Sequence, residues 1–247
     1  MGIRRKKRRK HRRYGLTVFL TVLLLGVLSV FVIIKVFTVD QVIVEGNELY
    51  SSGQIEEIVL NDKYAWNSLY VYLKYKLKGV GDIPFVDDME ISLDDPHTIR
   101  IHVYEKGILG SFYIDSIGQY AYFDKDGFVV ETSPDVIQNV PKITGITCRE
   151  VVLYEKLPLE EEYLLSGLLE LTQTLNKYGI LPREVHFASG EKPELGYGEI
   201  KVVVGTMDYL SQKIVRLSNI LPQLEGKQGT LHLENWTPET TDIYFSK

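Results

Sequence analysis

Leu16-Thr17-Val18-Phe19-Leu20-Thr21-Val22-Leu23-Leu24-Leu25-Gly26-Val27-Leu28-Ser29-Val30-Phe31-Val32-Ile33-Ile34 runs nineteen residues without a charge. At roughly 1.5 Å per residue, a helix of that length rises about 28 Å, close to the roughly 30 Å hydrocarbon core of a bilayer. Lipid offers a free peptide group no partner, so such a segment must close its own hydrogen bonds as a helix. Thr17, Thr21 and Ser29 can bond back to the preceding turn. Gly26 has no glycine four residues away and carries little dimerisation signal. A secretory signal has a shorter apolar core, roughly 7–15 residues, and a small-residue cleavage site. Ile34-Lys35-Val36-Phe37-Thr38 offers no such site. The stretch reads as a retained anchor within a transmembrane helix over residues 14–37.

Charge divides sharply around it. Residues 1–13 hold nine basic groups and no acid, although the 247-residue chain carries a net −5. With Lys35, ten of the 28 basic residues lie at or before the end of the anchor. Beyond it, 18 basic residues face all 33 acids, a net −15. A basic cluster against a transmembrane helix is retained on the cytoplasmic side, which puts everything after Phe37 outside. An acidic exterior domain is a poor ligand for DNA or other polyanions. Cys148 is the only cysteine, so no disulfide can form within the chain and an ordinary apolar core must hold it.

Residues 38–106 change period twice. Val39-Asp40-Gln41-Val42-Ile43-Val44-Glu45 reads as a strand ended by Gly46-Asn47. Ser51 and Gln54 have capping-box spacing before Ile55, Ile58 and Val59. A second helix fits residues 67–78, with Leu69, Leu73 and Leu77 on one face and lysines near its end. Met89, Ile91 and Leu93 alternate before Asp94-Asp95-Pro96, and Ile99, Ile101 and Val103 alternate after it, a hairpin.

Residues 107–247 read as a second unit. Strands are expected at Phe112–Asp115, Gln119–Phe123 and Phe128–Val130, with Asp124-Lys125-Asp126-Gly127 as a turn and not a calcium loop, because the glycine comes too early. Pro141 to Gly145 reads as a connector. Glu160 to Tyr178 reads as a helix and Val185–Phe187 as a strand. Gly196-Tyr197-Gly198 reads as a turn, Ile200–Val204 as a strand, and Asp208 as the cap of a helix through Leu224. Thr230–Glu234 and Asp242–Phe245 close the chain as paired strands.

Catalytic signatures are missing. There is no Gly-x-Ser-x-Gly elbow, His-Glu-x-x-His, P-loop or Cys–His pairing, and His97 and His102 have no ligand at zinc spacing. The residues select no catalytic, metal or cofactor site, no small-molecule substrate and no nucleic acid. Two other classes stay open: an envelope-assembly or secretion component, and an anchored extracytoplasmic hydrolase. The first is disfavoured because no β-barrel pattern follows, and the second needs carboxylates or a nucleophile converging in a cleft.

The order of motifs carries a resemblance. Phe37-Thr38-Val39-Asp40-Gln41-Val42-Ile43-Val44-Glu45-Gly46-Asn47 resembles the opening of the POTRA domain in the FtsQ/DivIB bacterial cell-division proteins. Asp95-Pro96-His97-Thr98-Ile99-Arg100-Ile101-His102-Val103-Tyr104-Glu105-Lys106 is similar to that family's Pro-x-Thr-Leu-x-Ile-x-Val-x-Glu stretch. Tyr113-Ile114-Asp115-Ser116-Ile117-Gly118 resembles its Leu-Ile-Asp-x-x-Gly strand, and Val140-Pro141-Lys142-Ile143-Thr144-Gly145 its Leu-Pro-x-Leu-x-Gly connector. Residues 202–224, with Gly205 and Lys213, are similar to its late strand and helix. His232-Leu233-Glu234 stands where the family often has Asp-Leu-Arg.

The resemblance implies an α+β chain: a basic cytoplasmic tail (1–13), one transmembrane helix (14–37), a β-α-α-β-β POTRA domain (38–106) and an extracytoplasmic mixed β-sheet domain with helices (107–247). It implies a non-enzymatic divisome scaffold in the bacterial plasma membrane at the septum. Such a scaffold binds the bitopic partners FtsL and DivIC or FtsB and helps regulate septal peptidoglycan synthesis. The expected partner site is the terminal strand, Thr241, Asp242, Ile243, Tyr244 and Phe245. Its outer edge would offer free N–H and C=O groups to an incoming strand.

The charge asymmetry predicts that protease added to intact spheroplasts trims the protein to little more than its anchor. Full protection of the C-terminal portion would reverse the topology.

Overall fold

The computed structural model describes residues 4–148, 150–159, 162–188, 192–240 and 242–247, with side chains from Tyr14 onward, Glu162 excepted. The chain is α+β and divides into two compact units at Glu105/Lys106.

Helix α1 (Arg4–Val36) opens the first unit. Thr21 Oγ1 donates to Thr17 O at 2.8 Å and Ser29 Oγ to Leu25 O at 2.7 Å, so these hydroxyls are satisfied within the helix. Every described side chain from Tyr14 to Val36 is exposed. Among the described residues none of these 23 is buried, and the helix is long and apolar enough to cross a membrane.

Strand β1 (Gln41–Glu45) leads to α2 (Ser52–Val59) and α3 (Ser68–Lys78), then to β2 (Val86–Asp95) and β3 (Thr98–Glu105). The expected capping box forms at α2: Ser51 Oγ accepts from Gln54 N at 3.3 Å, and Gln54 Oε1 accepts from Ser51 N at 2.9 Å. Asn67 Oδ1 accepts from Tyr70 N at 2.9 Å to cap α3. The sheet order is β1-β3-β2, with β1 parallel and β2 antiparallel to central β3. Alternation puts Ile99, Ile101 and Val103 of β3 in the core with Ile55, Val59, Val71, Met89 and Ile91. His102 points the other way and stays partly exposed, while Arg100 pairs with Asp94 at 2.6 Å and also with Glu45.

The second unit contains β4 (Ile108–Ile114), β5 (Gln119–Asp124), β6 (Val129–Ser133), β7 (Lys142–Thr144), α4 (Glu162–Lys177), β8 (Glu184–Ala188), β9 (Lys192–Tyr197) and β10 (Ile200–Val203). Helix α5 (Leu210–Ile220) then runs into a 3₁₀ turn (Leu221–Leu224), followed by β11 (Gly229–His232) and β12 (Tyr244–Ser246). All nine strands form one mixed sheet, ordered β12-β11-β10-β9-β8-β7-β4-β5-β6. Leu168, Leu171 and Leu175 of α4 and Leu210, Ile214 and Leu217 of α5 share one core with Phe112, Phe123, Val185, Leu195 and Val202. The Asp124–Gly127 turn forms as expected, with Asp124 Oδ1 accepting from Asp126 N and Phe128 N at 2.9 Å each.

Four expectations are corrected. Pro141–Gly145 is not a connector: β7 lies inside the sheet, parallel to both β4 and β8, because its neighbours supply the pairing that three residues cannot advertise alone. Gly145, at φ +81°, closes it where a Cβ would strike the Phe187 carbonyl. Gly196 and Tyr197 end β9, a strand absent from the sequence reading, and the turn falls at Gly198, φ +67°. Its run carries Pro193 and Gly196, which mask a strand whose pairing comes from β8 and β10 on either side. Asp208 does not cap α5; Tyr209 occupies that position at φ 56° without a side-chain bond, and Asp208 Oδ2 instead accepts from Thr206 Oγ1 at 2.9 Å. The last strand begins at Tyr244, not Asp242. Glu160 and Glu161, read as the start of α4, lie outside the described residues.

A fragment of residues 38–106 is expected to unfold cooperatively, because the first unit has its own apolar core. Ile101→Ala should lower its stability by about 2–5 kcal/mol, read from denaturation midpoints, since the side chain is fully buried in the central strand. A random-coil far-ultraviolet spectrum of the unsubstituted fragment would refute this.

Candidate partner-docking edge

The chain after α5 builds the outer edge of the nine-stranded sheet. Strand β11 runs parallel to β10, and β12 returns antiparallel to β11, with Thr230 opposite Ser246, Leu231 opposite Phe245 and His232 opposite Tyr244. Among the described residues no strand lies on the other side of β12. Its outward backbone groups are therefore a pairing template.

Alternation sorts the side chains. Ile243 and Phe245 pack against the core, whereas Tyr244 is 51% exposed. Asp242 is exposed and, like Ile243, precedes the strand. The strand is shorter than expected because β11 ends at His232, where Trp236 N turns back to Leu233 O at 3.1 Å, leaving Asp242 and Ile243 nothing to pair with. Thr241 lies outside the described residues.

The sequence marks His232 and Glu234 only through the run His232-Leu233-Glu234 and does not mark Ser246, yet the three tie the edge together. His232 Nδ1 is 2.8 Å from Glu234 Oε1, and its Nε2 is 3.0 Å from Ser246 Oγ. The Tyr244 ring stacks flat on the imidazole, with centroids 4.3 Å apart and 9° between planes. The order serine–imidazole–carboxylate is that of a nucleophile relay. It joins β11 to β12 at the edge of the sheet, and its Glu234 also lines a cavity with Gly205, Thr206 and Asn235. The spacing of His232 and Glu234, two residues apart at the end of β11, is the signal that could have found it.

Behind this edge sits a buried cation. Lys213 Nζ donates to Val204 O and Thr206 O at 2.9 Å each, pinning the chain as it leaves β10. Burial holds its ammonium below the ordinary lysine value, against which the negative charges of Asp208 and Glu234 act. Gly205, φ +74°, lets this chain pass against Glu234, whose Cα would lie 2.7 Å from an added Cβ. Trp236 is buried under Tyr209, at 6.5 Å between centroids, and beside the Arg216 guanidinium at 6.0 Å.

Other chemistry is sparse. Burial pushes the Cys148 thiol up to about 11, which disfavours the reactive thiolate. Among the described residues no three His, Cys, Asp or Glu side chains gather as a metal site. A cavity of about 700 Å³ is lined by Ile180, Tyr197, Ile200, Leu221 and Pro222. Burial raises the Tyr197 phenol, whose hydroxyl donates to Ile180 O at 2.6 Å. No protein-family model matches the chain, and no curated protein matches it either.

Gly229 adopts φ +150°, and an added Cβ there would collide with the Ser246 carbonyl and the Phe245 ring. Gly229→Ala should thus loosen β12 first. Amide exchange is expected to quicken at residues 244–246 while β3 keeps its protection. Unchanged exchange in β12 would remove Gly229 from any role at this edge.

Proposed function

We propose that this protein is a non-enzymatic scaffold of the bacterial division machinery, anchored once in the plasma membrane. Its basic tail lies in the cytoplasm and residues 38–247 lie outside, at the septum. The outer edge of β12 receives a strand from bitopic partners of the FtsL and DivIC or FtsB kind, and through them the protein helps regulate septal peptidoglycan synthesis. The observation that carries the reading is this open edge strand in the second unit. Support comes also from the first unit, whose β-α-α-β-β order and β1-β3-β2 sheet agree with a POTRA arrangement. The basic cluster before the anchor agrees with the topology.

Strand addition draws its affinity from main-chain hydrogen bonds and its selectivity from alternate side chains. On β12 the outward side chain is Tyr244, held flat by His232, apolar in body and polar at its tip. The partner therefore meets a pre-ordered ring, which lowers the entropy lost on docking.

Purified extracytoplasmic portions of FtsL and DivIC-like partners supply the test. Deleting residues 242–247, or Tyr244→Pro, is expected to weaken capture by at least about tenfold, roughly 1.4 kcal/mol, with the first unit still folded. Unchanged affinity in both variants would place the site elsewhere.

A further inference from the structure

We propose that the loop between α2 and α3, residues 62–66, is a membrane-contact site whose Tyr64 and Trp66 rings lie in the headgroup boundary of the bilayer that α1 crosses. The inference rests on reading α1 as a membrane span. It goes beyond anchoring by assigning the folded first unit its own lipid contact.

Two hydrogen bonds locate the loop. Asn67 Nδ2 donates to Ile33 O at 3.0 Å, and Ile33 belongs to the uncharged run itself. Trp66 O accepts from Val39 N at 2.9 Å, three residues after the last residue of α1. The loop is therefore bonded to the anchor where its apolar stretch ends. That level is the interface between hydrocarbon and headgroups.

The side chains presented there fit that boundary. Tyr64 and Trp66 are 53% and 48% exposed, although each is large and apolar in body. Exposed aromatic rings of this kind are favoured where one end meets acyl chains and the other water. Their loop is held rigidly: Tyr64 N donates to Asp62 Oδ1 at 2.8 Å, and Ala65 is buried between the two rings' positions in sequence. Asp62 is itself paired with Lys74 at 2.8 Å, and that hydrogen bond, with burial acting against it, lowers its carboxyl below the usual range.

Charge does not make the contact. Lys63 stands 5.7 Å from the Tyr64 ring, but Asp40 and Glu56 line the adjoining groove together with Asp62. An anionic surface gains little from this mixture, so the rings recognise the boundary itself and zwitterionic lipid suffices.

The full chain reconstituted into phosphatidylcholine vesicles tests this, with bromine atoms on the acyl chains as quencher. The chain has two tryptophans, so the emission lost in Trp66→Phe belongs to Trp66, while Trp236 remains in both proteins. The main-chain bond of residue 66 to Val39 survives that substitution. The expected result is that lipid bromines quench the Trp66 share, aqueous iodide does not, and neither anionic lipid nor salt alters this. A chain stripped from the vesicles by alkaline carbonate overturns the anchor and the contact together. Retention with Trp66 open to iodide and untouched by bromine overturns the contact alone. Quenching confined to anionic vesicles and abolished by salt would replace it with an electrostatic contact.

Discussion

Hydrocarbon offers a peptide group no hydrogen-bond partner, and that constraint reaches well beyond α1. Under it, an uncharged run long enough to cross a membrane must close its own bonds as a helix, and Thr21 and Ser29 bond back onto α1. It also governs the exit. The last carbonyls of a helix have no partner within it, and here the Ile33 carbonyl takes both Phe37 N, at 3.2 Å, and the Asn67 amide. Asn67 thus serves two helices, accepting from Tyr70 N to start α3 and donating to the end of α1. Being 95% buried, it does so in a setting where an unmade bond costs about 1–3 kcal/mol.

The second unit meets the same demand for backbone partners by lateral pairing. Its middle strands are bonded on both sides, so even the three-residue β7 is held. Among the described residues the end strands are β6, whose Val129 is bonded on its outer side to Tyr154 and Glu155, and β12. At β12 the open side carries a tyrosine stacked on histidine, with hydroxyl and carboxylate completing the tie. Pinned so, the strand keeps its outward groups aligned, as strand addition requires. Lys213 supports it from behind by holding two carbonyls beside Glu234.

Local signals were legible where one residue does one job. Ser51 and Gln54 announce their helix because the capping bonds are made within four residues. The Met89–Val103 hairpin is readable because one face is buried and the period is two. The placement of Ile243 and Phe245 inward and Tyr244 outward follows from that same period. Asp208 misled because its residue type suits a cap, yet Thr206 lies closer at hand and takes its carboxylate.

By itself the sequence determined the uncharged run long enough to cross a membrane, the charge asymmetry on its two sides, the α+β class and most elements, since length, charge and apolar period are properties of consecutive residues. Tertiary structure alone decided that Lys142–Thr144 and Lys192–Tyr197 are strands, because their stabilisation comes from neighbours 31 to 42 residues or a turn away. It alone brought His232 to Ser246 and Asn67 to Ile33. Those pairs are joined by hydrogen bonds across 14 and 34 residues, and no local pattern encodes a bond whose two halves are written that far apart.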